Sequence, residues 1–268
     1  HLIDSYTYEA GVRKLKEKLV EILRIINLER LYGESIVIPY KITKEKIEQI
    51  LSNKSKIIFK KISKAPSVGL VNGLYATTSG VGGLTIIEAV KTHSETKFSL
   101  ELTGQQGDVM KESMKCAKTI AWNLIPLEIK KQIQEDWKEN GSWGLHIHTP
   151  EAATPKDGPS AGGAITLAII SRLLNVAVKN TVGMTGEIDL NGNIKQIGGL
   201  ISKLTGAKKA GVKLVLIPRE NEDDLIKIRN DNLSPEDDNF EVKIIDNIFD
   251  ILDNALVDNY IEFNKNII

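Results

Sequence analysis

The spacing of apolar residues predicts two amphipathic helices near the start of the chain. Across residues 6–30, apolar side chains recur every three or four positions and so share one helical face: Val12, Leu15, Leu19, Ile22, Leu23 and Ile26. A shorter segment, residues 42–51, repeats this spacing. Thr43 is its expected N-cap, and Glu45 lies in its first turn, where an acidic side chain is favoured.

The helical pattern breaks after these two segments. Ser, Asn and Lys residues and then Pro66 interrupt the periodicity, which is typical of a linker, and we place this linker at residues 58–67. Residues 1–57 are too few to bury a good core of their own. We therefore expect them to be the truncated end of a longer helical domain, and the chain to be a piece of a longer protein.

From residue 68 to residue 268 the pattern alternates between strands and helices. Apolar residues at period two predict strands in segments 69–91, 98–104, 144–151, 212–218 and 241–245. Helical spacing predicts helices at 108–121, in the 160s, at 198–210, at 221–229 and at the end. Asn191-Gly192 predicts a hairpin closed by a two-residue type I′ turn. The order predicts a single α/β or α+β domain.

Composition limits the classes of partner. Lys and Arg together number 35, as do Asp and Glu, so no net charge attracts the chain to nucleic acid or to an anionic membrane. The sequence contains no apolar run long enough to cross a bilayer. The single cysteine, Cys116, cannot form an internal disulfide, which favours a reducing compartment over secretion.

The segment Gly158-Pro159-Ser160-Ala161-Gly162 fits G-x-S-x-G, the spacing of a hydrolase nucleophile elbow. Pro159 suits the first position of a helix, which would place Ser160 in the first turn. Free N–H groups there favour an alkoxide and a developing oxyanion. The surrounding glycines would let a substrate backbone approach. The alternative is a helix start that uses its glycines only for close packing.

A serine nucleophile needs a base, and the histidines are poorly placed to supply it. All four precede Ser160, whereas an elbow hydrolase has its histidine after the serine. His146 and His148 share one face of a predicted strand, so a role as base or as metal ligand stays open. No carboxylate or cysteine cluster supports a metal site, and we predict none. We expect both histidines to be structural polar residues of a sheet face.

Lysine is another common base for a serine, and one predicted helix separates its lysines by environment. At about 100° per residue, Lys203 lies beside the apolar face of that helix, whereas Lys209 points away from it. The apolar face consists of Leu200, Leu204 and Ala207. Burial of an unpaired ammonium is costly, so this position favours a neutral amine. The alternative is a lysine whose stem covers apolar surface while its head reaches water.

Three long segments carry a family resemblance. PEAATPKDGPSAGGA, VGMTGEIDLNGNIKQIGGLISKLTGAKKAGVKLVLIP and ENEDDL follow one another in the chain. They resemble the proteolytic domain of the Lon family of ATP-dependent serine proteases, and the resemblance runs from about Val68 to the C-terminus. It implies a Ser-Lys dyad of Ser160 and Lys203. The residues expected to support the dyad are Thr185, which would contact the lysine, Asp157 and Gly158.

The start of the chain, YTYEAGVRKLKEKL, is similar to the end of the helical subdomain of the Lon ATPase module. The resemblance implies that Arg13 senses nucleotide in a full-length protein only. The chain contains no G-x-x-x-x-G-K-[ST] segment, so we expect no cofactor to bind to it. ATP and Mg²⁺ are implied for the full-length protein.

The resemblance also implies substrates, assembly and location. Unfolded or damaged proteins are the implied substrates, a homo-hexameric ring is the implied assembly, and the mitochondrial matrix or a bacterial-type cytosol is the implied location. Residues 68–90 are expected to offer a strand edge to an extended substrate. Ala152 and Tyr75 depart from the family pattern and are expected to alter substrate fit without touching the dyad.

Two alternative functions stay open. The first is a catalytically silent module that only supports assembly of a ring, against which the presence of both Ser160 and Lys203 argues. The second is an α/β-hydrolase esterase, against which the missing histidine after Ser160 argues.

Overall fold

The computed structural model describes residues 1–7, 9, 11–33, 37–78, 80–150, 157–257 and 263. These residues form two compact units. The first consists of His1–Phe59 with Thr78–Val81, and the second of Lys60–Thr77 with Gly82–Ile268. The domain boundaries given above, with a linker at 58–67, stay a prediction.

The first unit contains two α-helices, α1 (Arg13–Leu31) and α2 (Lys44–Ile50), after a π-helical turn at Ile3–Thr7. The predicted N-cap of α2 is confirmed, because Thr43 Oγ1 accepts a hydrogen bond from the Lys46 N–H at 3.3 Å. A small apolar core holds this unit together and consists of Leu2, Tyr6, Ile22, Ile26 and Leu51.

The helix predicted over residues 6–30 begins later than expected. Gly11 lies outside it, as expected for a residue that disfavours helix, and Val12 is its N-cap. The Leu15 N–H, in the first turn, donates to Glu9 Oε1 at 3.0 Å. The predicted apolar face is also only partly buried, because Leu19 and Leu23 are exposed to solvent.

The second unit is built on a seven-stranded mixed sheet with the order β11-β10-β7-β2-β3-β5-β4. Its central strands β2 and β3 form an antiparallel pair, and β3 pairs antiparallel with β5. The other neighbours in the sheet are parallel. The strands are β1 (Ser67–Val68), β2 (Leu70–Ala76), β3 (Gly82–His93), β4 (Leu100–Thr103), β5 (Trp143–His148), β6 (Ala177–Val178), β7 (Val182–Met184), β8 (Glu187–Ile188), β9 (Ile194–Lys195), β10 (Leu214–Pro218) and β11 (Glu241–Ile245).

Helices cover both faces of this sheet. The helices of the second unit are α3 (Asp108–Leu124), α4 (Leu127–Glu139), α5 (Gly162–Leu174), α6 (Leu200–Ala210), α7 (Glu222–Asn230) and α8 (Ile248–Ala255). Helices α3, α4, α5 and α8 pack into one apolar core, and α6 and α7 into another. Alternate residues of β10 enter the two cores, since Leu216 belongs to the first and Val215 and Ile217 to the second. The helices α5 and α6 therefore lie on opposite faces of the sheet.

The predicted α/β fold class is confirmed, but helix α4 was missed. Its sequence, LEIKKQIQEDWKE, follows Pro126 and buries Ile133 and Trp137. Trp137 packs against the neighbouring aromatic rings of Trp122 and Trp143, with centroids 5.7 and 5.3 Å apart. The available signals were the proline before the helix and the four-residue spacing of the two buried side chains.

The predicted hairpin exists as β8 and β9, but its type I′ turn is wrong. Type I′ requires positive φ at both central residues, and of the predicted pair only Gly192 has it, at 78°. The strands are instead joined by the five residues 189–193. The Asp189 carboxylate directs this loop, because its Oδ1 accepts from the N–H groups of Asn191 and Asn193, both at 2.9 Å.

Three further observations concern the classes of partner. Within the part of the chain that the structure describes, no helix is both long and apolar enough to cross a membrane. The same residues contain no group of three or more His, Cys, Asp or Glu side chains arranged to hold a metal ion. Cys116 is a free, half-buried thiol.

Candidate active site

Ser160 lies in a 3-10 turn, Pro159–Ala161, which leads directly into α5. The sequence had placed it in the first turn of the α-helix itself. Gly158, just before this turn, has φ 122°, a conformation that favours glycine. Gly162, just after it, has room for no side chain, since a Cβ would lie 2.8 Å from Ile188 Cγ2. The glycines on both sides of Ser160 are thus required by the local backbone.

The carbonyl group of Ser160 is held from two sides. It accepts hydrogen bonds from the Gly186 N–H at 2.7 Å and from Thr185 Oγ1 at 3.3 Å. The Gly186 carbonyl accepts in turn from the Gly163 N–H at 3.1 Å. These bonds attach the start of α5 to the segment that follows β7, so the candidate site lies beyond the carboxyl end of that strand.

Lys203 reaches the same place from the opposite face of the sheet. Helix α6 crosses β3 at very short range, because a Cβ on Gly82 would lie 1.9 Å from the Ser202 carbonyl oxygen. A Cβ on Gly206 would lie 2.3 Å from the Gly82 carbonyl carbon. Only glycine fits at either position. This close packing buries Lys203, which is 4% exposed.

The buried amine of Lys203 has an unusual environment. Its Nζ donates a hydrogen bond to Thr185 Oγ1 at 3.0 Å. Among the described residues, no carboxylate forms an ion pair with it. Burial lowers the pKa of Lys203 from its usual 10.5 to about 8, because the charged ammonium is desolvated. The neutral amine, which can accept a proton, is therefore accessible near neutral pH.

Thr185 connects the two predicted dyad residues. Its hydroxyl accepts from Lys203 Nζ and donates its one hydrogen to the Ser160 carbonyl. Within the described residues, the hydrogen bonds of Lys203 do not include one to Ser160 Oγ. The structure thus gathers Ser160, Thr185 and Lys203 in one place, joined through Thr185. The catalytic roles of all three stay predictions.

Asp157 anchors the chain just before Ser160 to another helix. Its Oδ1 accepts from the N–H groups of Met110, in the first turn of α3, at 3.0 Å and of Gly158 at 2.9 Å. The N-cap of α3 is Gly107, which has no side chain to cap the helix. Its small size leaves room for the Asp157 carboxylate, since a Cβ there would lie 2.3 Å from Asp157 Cγ. Asp157 thus replaces a missing N-cap. Ala152 and the rest of 151–156 lie outside the described residues.

His146 and His148 lie elsewhere on the sheet. The Thr103 hydroxyl, on the edge strand β4, forms hydrogen bonds with His146 Nε2 at 2.8 Å and His148 Nδ1 at 2.7 Å. In the described structure neither histidine forms a hydrogen bond with Ser160. Both behave as polar residues of a sheet face, as the sequence indicated.

Arg13 belongs to the other unit. It is the first residue of α1 and is largely exposed, with Nε 3.7 Å from Glu17 Oε1. Its predicted role in nucleotide sensing concerns only a longer protein and stays a prediction.

Sequence reasoning missed several residues that shape this site. Gly186 bonds to both Ser160 and Gly163 through its backbone, and Gly82 and Gly206 allow α6 to approach β3. The only signal was the high local glycine content. A glycine pattern does not reveal which backbone segments will meet, because the partners are far apart in the chain.

Comparison with known proteins gives a consistent result. Residues 41–258 match the family described as the Lon protease (S16) C-terminal proteolytic domain. A Lon protease homolog of Acanthamoeba polyphaga mimivirus is 33% identical over 100% of this chain and 32% of its own length. The Lon proteases of Campylobacter concisus and Campylobacter jejuni are 40% and 42% identical, each over 96% of this chain and 32% of their own length.

The chain thus spans about a third of the length of the curated relatives that it matches. The family match covers most of the second unit, including Ser160, Thr185 and Lys203. It also confirms the predicted resemblance, because the matching model describes a proteolytic domain and these relatives are named Lon proteases. On this evidence, the chain belongs to the Lon protease family and carries its C-terminal proteolytic domain.

Proposed function

We propose that this chain cleaves peptide bonds with Ser160 as the nucleophile and Lys203 as the general base. One observation carries the proposal: a lysine that is 4% exposed and has no carboxylate partner among the described residues donates to a threonine hydroxyl that also binds the Ser160 carbonyl. A lysine held only for stability would be paired or would reach water. This lysine does neither.

The first chemical step is acylation. Neutral Lys203 has two N–H groups and one lone pair. Because Thr185 Oγ1 accepts one N–H, the lone pair is free to take the proton of the Ser160 hydroxyl. Ser160 Oγ then attacks the peptide carbonyl carbon and forms a tetrahedral intermediate.

The intermediate breaks down when Lys203, now an ammonium, gives its proton to the leaving amine. Water then attacks the acyl-enzyme with Lys203 again as the base, which releases the acid and restores Ser160. The first N–H groups of a helix have no partner within it and suit an oxyanion. The Gly163 N–H is already bonded to the Gly186 carbonyl, so we assign the oxyanion to the N–H groups of Ser160 and Ala161.

The substrate strand was expected along residues 68–90, and this expectation needs correction. Strands β2 and β3 lie in the interior of the sheet. Strand β7 pairs with β2 at Asn72 and Gly73, close to the segment that binds the Ser160 carbonyl. We propose that an extended substrate binds beside Ser160 through its main chain. Main-chain hydrogen bonds would give the broad specificity that an unfolded substrate requires.

The finer properties concern a longer protein and are proposals of the same kind. We propose that the parent protein is an ATP-dependent endopeptidase that degrades unfolded or damaged proteins as a homo-hexamer, in a bacterial-type cytosol or the mitochondrial matrix. The present chain has no phosphate-binding loop, so ATP and Mg²⁺ would bind to other segments, with Arg13 as a nucleotide sensor. No step of the peptidase chemistry uses them.

The substitution Ser160→Ala tests the nucleophile. Ser160 is half-buried and its Oγ forms no hydrogen bond in the described structure, so the variant should fold normally. Cleavage of a fluorogenic unfolded peptide should fall by about 10³-fold or more, because covalent chemistry is lost. Circular dichroism and thermal unfolding provide the control for folding. Near-normal turnover by the folded variant would show that another residue is the nucleophile.

One observation favours the alternative of a catalytically silent assembly module, namely that Lys203 bonds to Thr185 and not to Ser160 Oγ. A serine-directed fluorophosphonate probe separates the two functions. If the dyad operates, the probe should label Ser160 in the wild-type protein and label Lys203→Met far more slowly. Equal, slow labelling of both proteins, together with no cleavage of peptide, would favour the silent module.

A further inference from the structure

A fully buried asparagine lies between the β10 strand and helix α7. Asn221 is 1% exposed and ends the short 3-10 turn Arg219–Asn221. Its Oδ1 accepts from the Ile197 N–H at 2.9 Å, and its Nδ2 donates to the Ile197 carbonyl at 2.9 Å. One side-chain amide thus satisfies both backbone groups of a residue 24 positions away. The amide therefore bonds to the same two backbone groups of Ile197 that a neighbouring β-strand would use.

A second contact fixes the orientation of this amide. Asn221 Nδ2 also donates to Asp224 Oδ2 at 2.8 Å. An ionised carboxylate can only accept hydrogen bonds, so the nitrogen of the amide must face Asp224 and the oxygen must face the Ile197 N–H. Reversal of the amide would place its oxygen against the Ile197 carbonyl and Asp224 oxygens, and its NH2 group against the Ile197 N–H. Asp224 therefore reinforces the one orientation in which the amide binds both backbone groups of Ile197.

The segment that Asn221 holds leads directly into the helix of Lys203. Gly198 and Gly199 follow Ile197 and have no side chains to anchor them. Gly199 is the N-cap of α6 with φ 70° and provides no side-chain hydrogen bond. The Lys203 N–H makes one of the first bonds of the helix, to the Gly199 carbonyl at 3.1 Å. The two glycines thus leave this junction without side chains of its own, and Asn221 holds the residue just before them through its hydrogen bonds to Ile197.

We propose that Asn221 is a positioning residue for Lys203: it fixes the start of α6 so that the Lys203 amine stays buried against Thr185 and within reach of Ser160. This inference rests on the proposed function of Lys203 as the base. Asn221 is far along the chain from the dyad and touches no reacting atom. It acts through Ile197, Gly199 and the first turn of α6, which carries the amine.

The proposal predicts a change that loss of stability alone would not cause. If Ile197 is released, the start of α6 gains freedom and the Lys203 amine becomes better hydrated. Its pKa, which burial lowers, then moves back up, so activity requires a higher pH. The main effect falls on kcat, because a misplaced base slows the chemical step, whereas KM, which reflects substrate contacts, stays near its wild-type value.

The experiment compares four variants of the whole chain on one peptide across pH. Asn221→Ala removes all three hydrogen bonds, and Asn221→Asp keeps only an acceptor for the Ile197 N–H. Asp224→Asn is a milder variant at an exposed position, because it replaces the charged acceptor of Asn221 Nδ2 by a neutral one and leaves both bonds to Ile197 in place. Asp223→Asn is the matched control, because it makes the same change of charge at the adjacent exposed position of α7.

We expect Asn221→Ala to lower kcat by about 10²-fold, a typical cost of misplacing a catalytic group by about 1 Å, with KM within about twofold. The midpoint of the pH profile should move up by about half a pH unit or more. Asn221→Asp should behave similarly, Asp224→Asn should show a smaller shift in the same direction, and Asp223→Asn should match the wild type. Thermal unfolding identifies any variant that fails to fold, and Asp224→Asn then still tests the proposal.

The outcomes separate this inference from the proposed function. If the wild-type protein cleaves no peptide at any pH, the proposed function fails. If the wild type cleaves peptide and folded Asn221 and Asp224 variants keep its pH midpoint, the positioning role is wrong, whatever their activity. A loss expressed only as a raised KM would also overturn it, since Asn221 would then act on substrate binding.

Discussion

The two faces of helix α6 hold lysines in opposite environments. Lys203 is 4% exposed and donates to the Thr185 hydroxyl. Lys208, five residues later, has a side chain 37% exposed, and its Nζ lies 2.5 Å from Asp237 Oδ2. Lys208 Nζ also donates to the Pro235 carbonyl. A carboxylate therefore compensates the charge of Lys208, whereas no carboxylate among the described residues compensates that of Lys203 on the same helix.

This difference explains why only one of them suits catalysis. Lys208 lies beside a carboxylate and is partly open to solvent, so its ammonium is not desolvated in the way that Lys203 is. Burial without a carboxylate lowers the pKa of Lys203 to about 8. A serine needs a base that is neutral near the working pH. The fold achieves this by removing water and counter-charge from one lysine, and the tight crossing of α6 over β3 is what removes the water.

The largest expected effect comes from exchanging each lysine for arginine. Lys203→Arg keeps a positive charge but cannot give up its proton, so peptide cleavage should fall by about 10²- to 10⁴-fold, the usual contribution of a general base. Lys208→Arg can still pair with Asp237 and should retain wild-type cleavage. Initial rates on a fluorogenic peptide, measured for both variants with matched circular dichroism spectra, provide the comparison. Substantial activity of folded Lys203→Arg would mean that the residue acts through its charge.

The second effect is the dependence of cleavage on pH. Because the base must be neutral, kcat/KM should fall about tenfold for each pH unit below the Lys203 pKa and level off above it. Burial places that pKa at about 8, so the midpoint should lie near pH 8. The profile of Lys208→Met should have the same midpoint. A wild-type profile that is flat between pH 6 and pH 9 would exclude Lys203 as the base that limits the rate.

The contrast between the two lysines shows which properties a sequence can predict. The apolar face of α6 was readable from Leu200, Leu204 and Ala207, and it correctly placed Lys203 on the packed side. The hydrogen bond to Thr185 followed only from a family resemblance. The carboxylate beside Lys208 could not be predicted, because Asp237 belongs to the loop before β11 and meets the helix only in the folded chain.

The same limit applies to the fold. Alternating strands and helices predicted the second unit well, because periodicity reports burial directly. Helix α4 was missed although its signals were available, whereas the turn of the hairpin was wrong because a side chain bonds to the backbone of its own loop. Asp189 bonds to two backbone N–H groups and replaces the expected two-residue turn by a longer loop. Asn221 bonds to Ile197 through contacts that no local pattern contains.

A smaller effect concerns stability, where the two lysines should again differ. Each unit of pKa difference corresponds to about 1.4 kcal/mol, so the fall of the Lys203 pKa from 10.5 to about 8 sets the cost of its buried charge at about 3.5 kcal/mol or less. Lys203→Met removes this cost and should raise the free energy of unfolding by about 1–3 kcal/mol at pH 7.

The pH dependence of this gain has a definite sign. Below about pH 8 the lysine is charged in both the folded and the unfolded chain, and the cost is complete. Between about pH 8 and the unfolded value of 10.5 only the unfolded chain keeps the proton, so wild-type stability recovers and the advantage of Lys203→Met declines. Urea unfolding of both proteins at pH 7 and at pH 10 measures this advantage in the free energy of unfolding. A variant less stable than the wild type at pH 7 would show that the buried amine is compensated.

The smallest expected effect belongs to Lys208→Met. The substitution removes an ion pair with Asp237 that is partly open to solvent, as well as the contact of Nζ with the Phe240 ring, 6.0 Å from its centroid. Exposed pairs of this kind contribute about 0–1 kcal/mol, and part of the loss is offset because the methionine side chain can cover the same ring. The free energy of unfolding should therefore fall by less than about 1 kcal/mol, and the difference from the wild type should shrink further in 1 M salt.

Urea unfolding of Lys208→Met and the wild type at low and high salt measures both quantities. A loss above about 2 kcal/mol that persists in high salt would mean that Lys208 is effectively buried. The two faces of α6 would then not differ in the way that sets Lys203 apart.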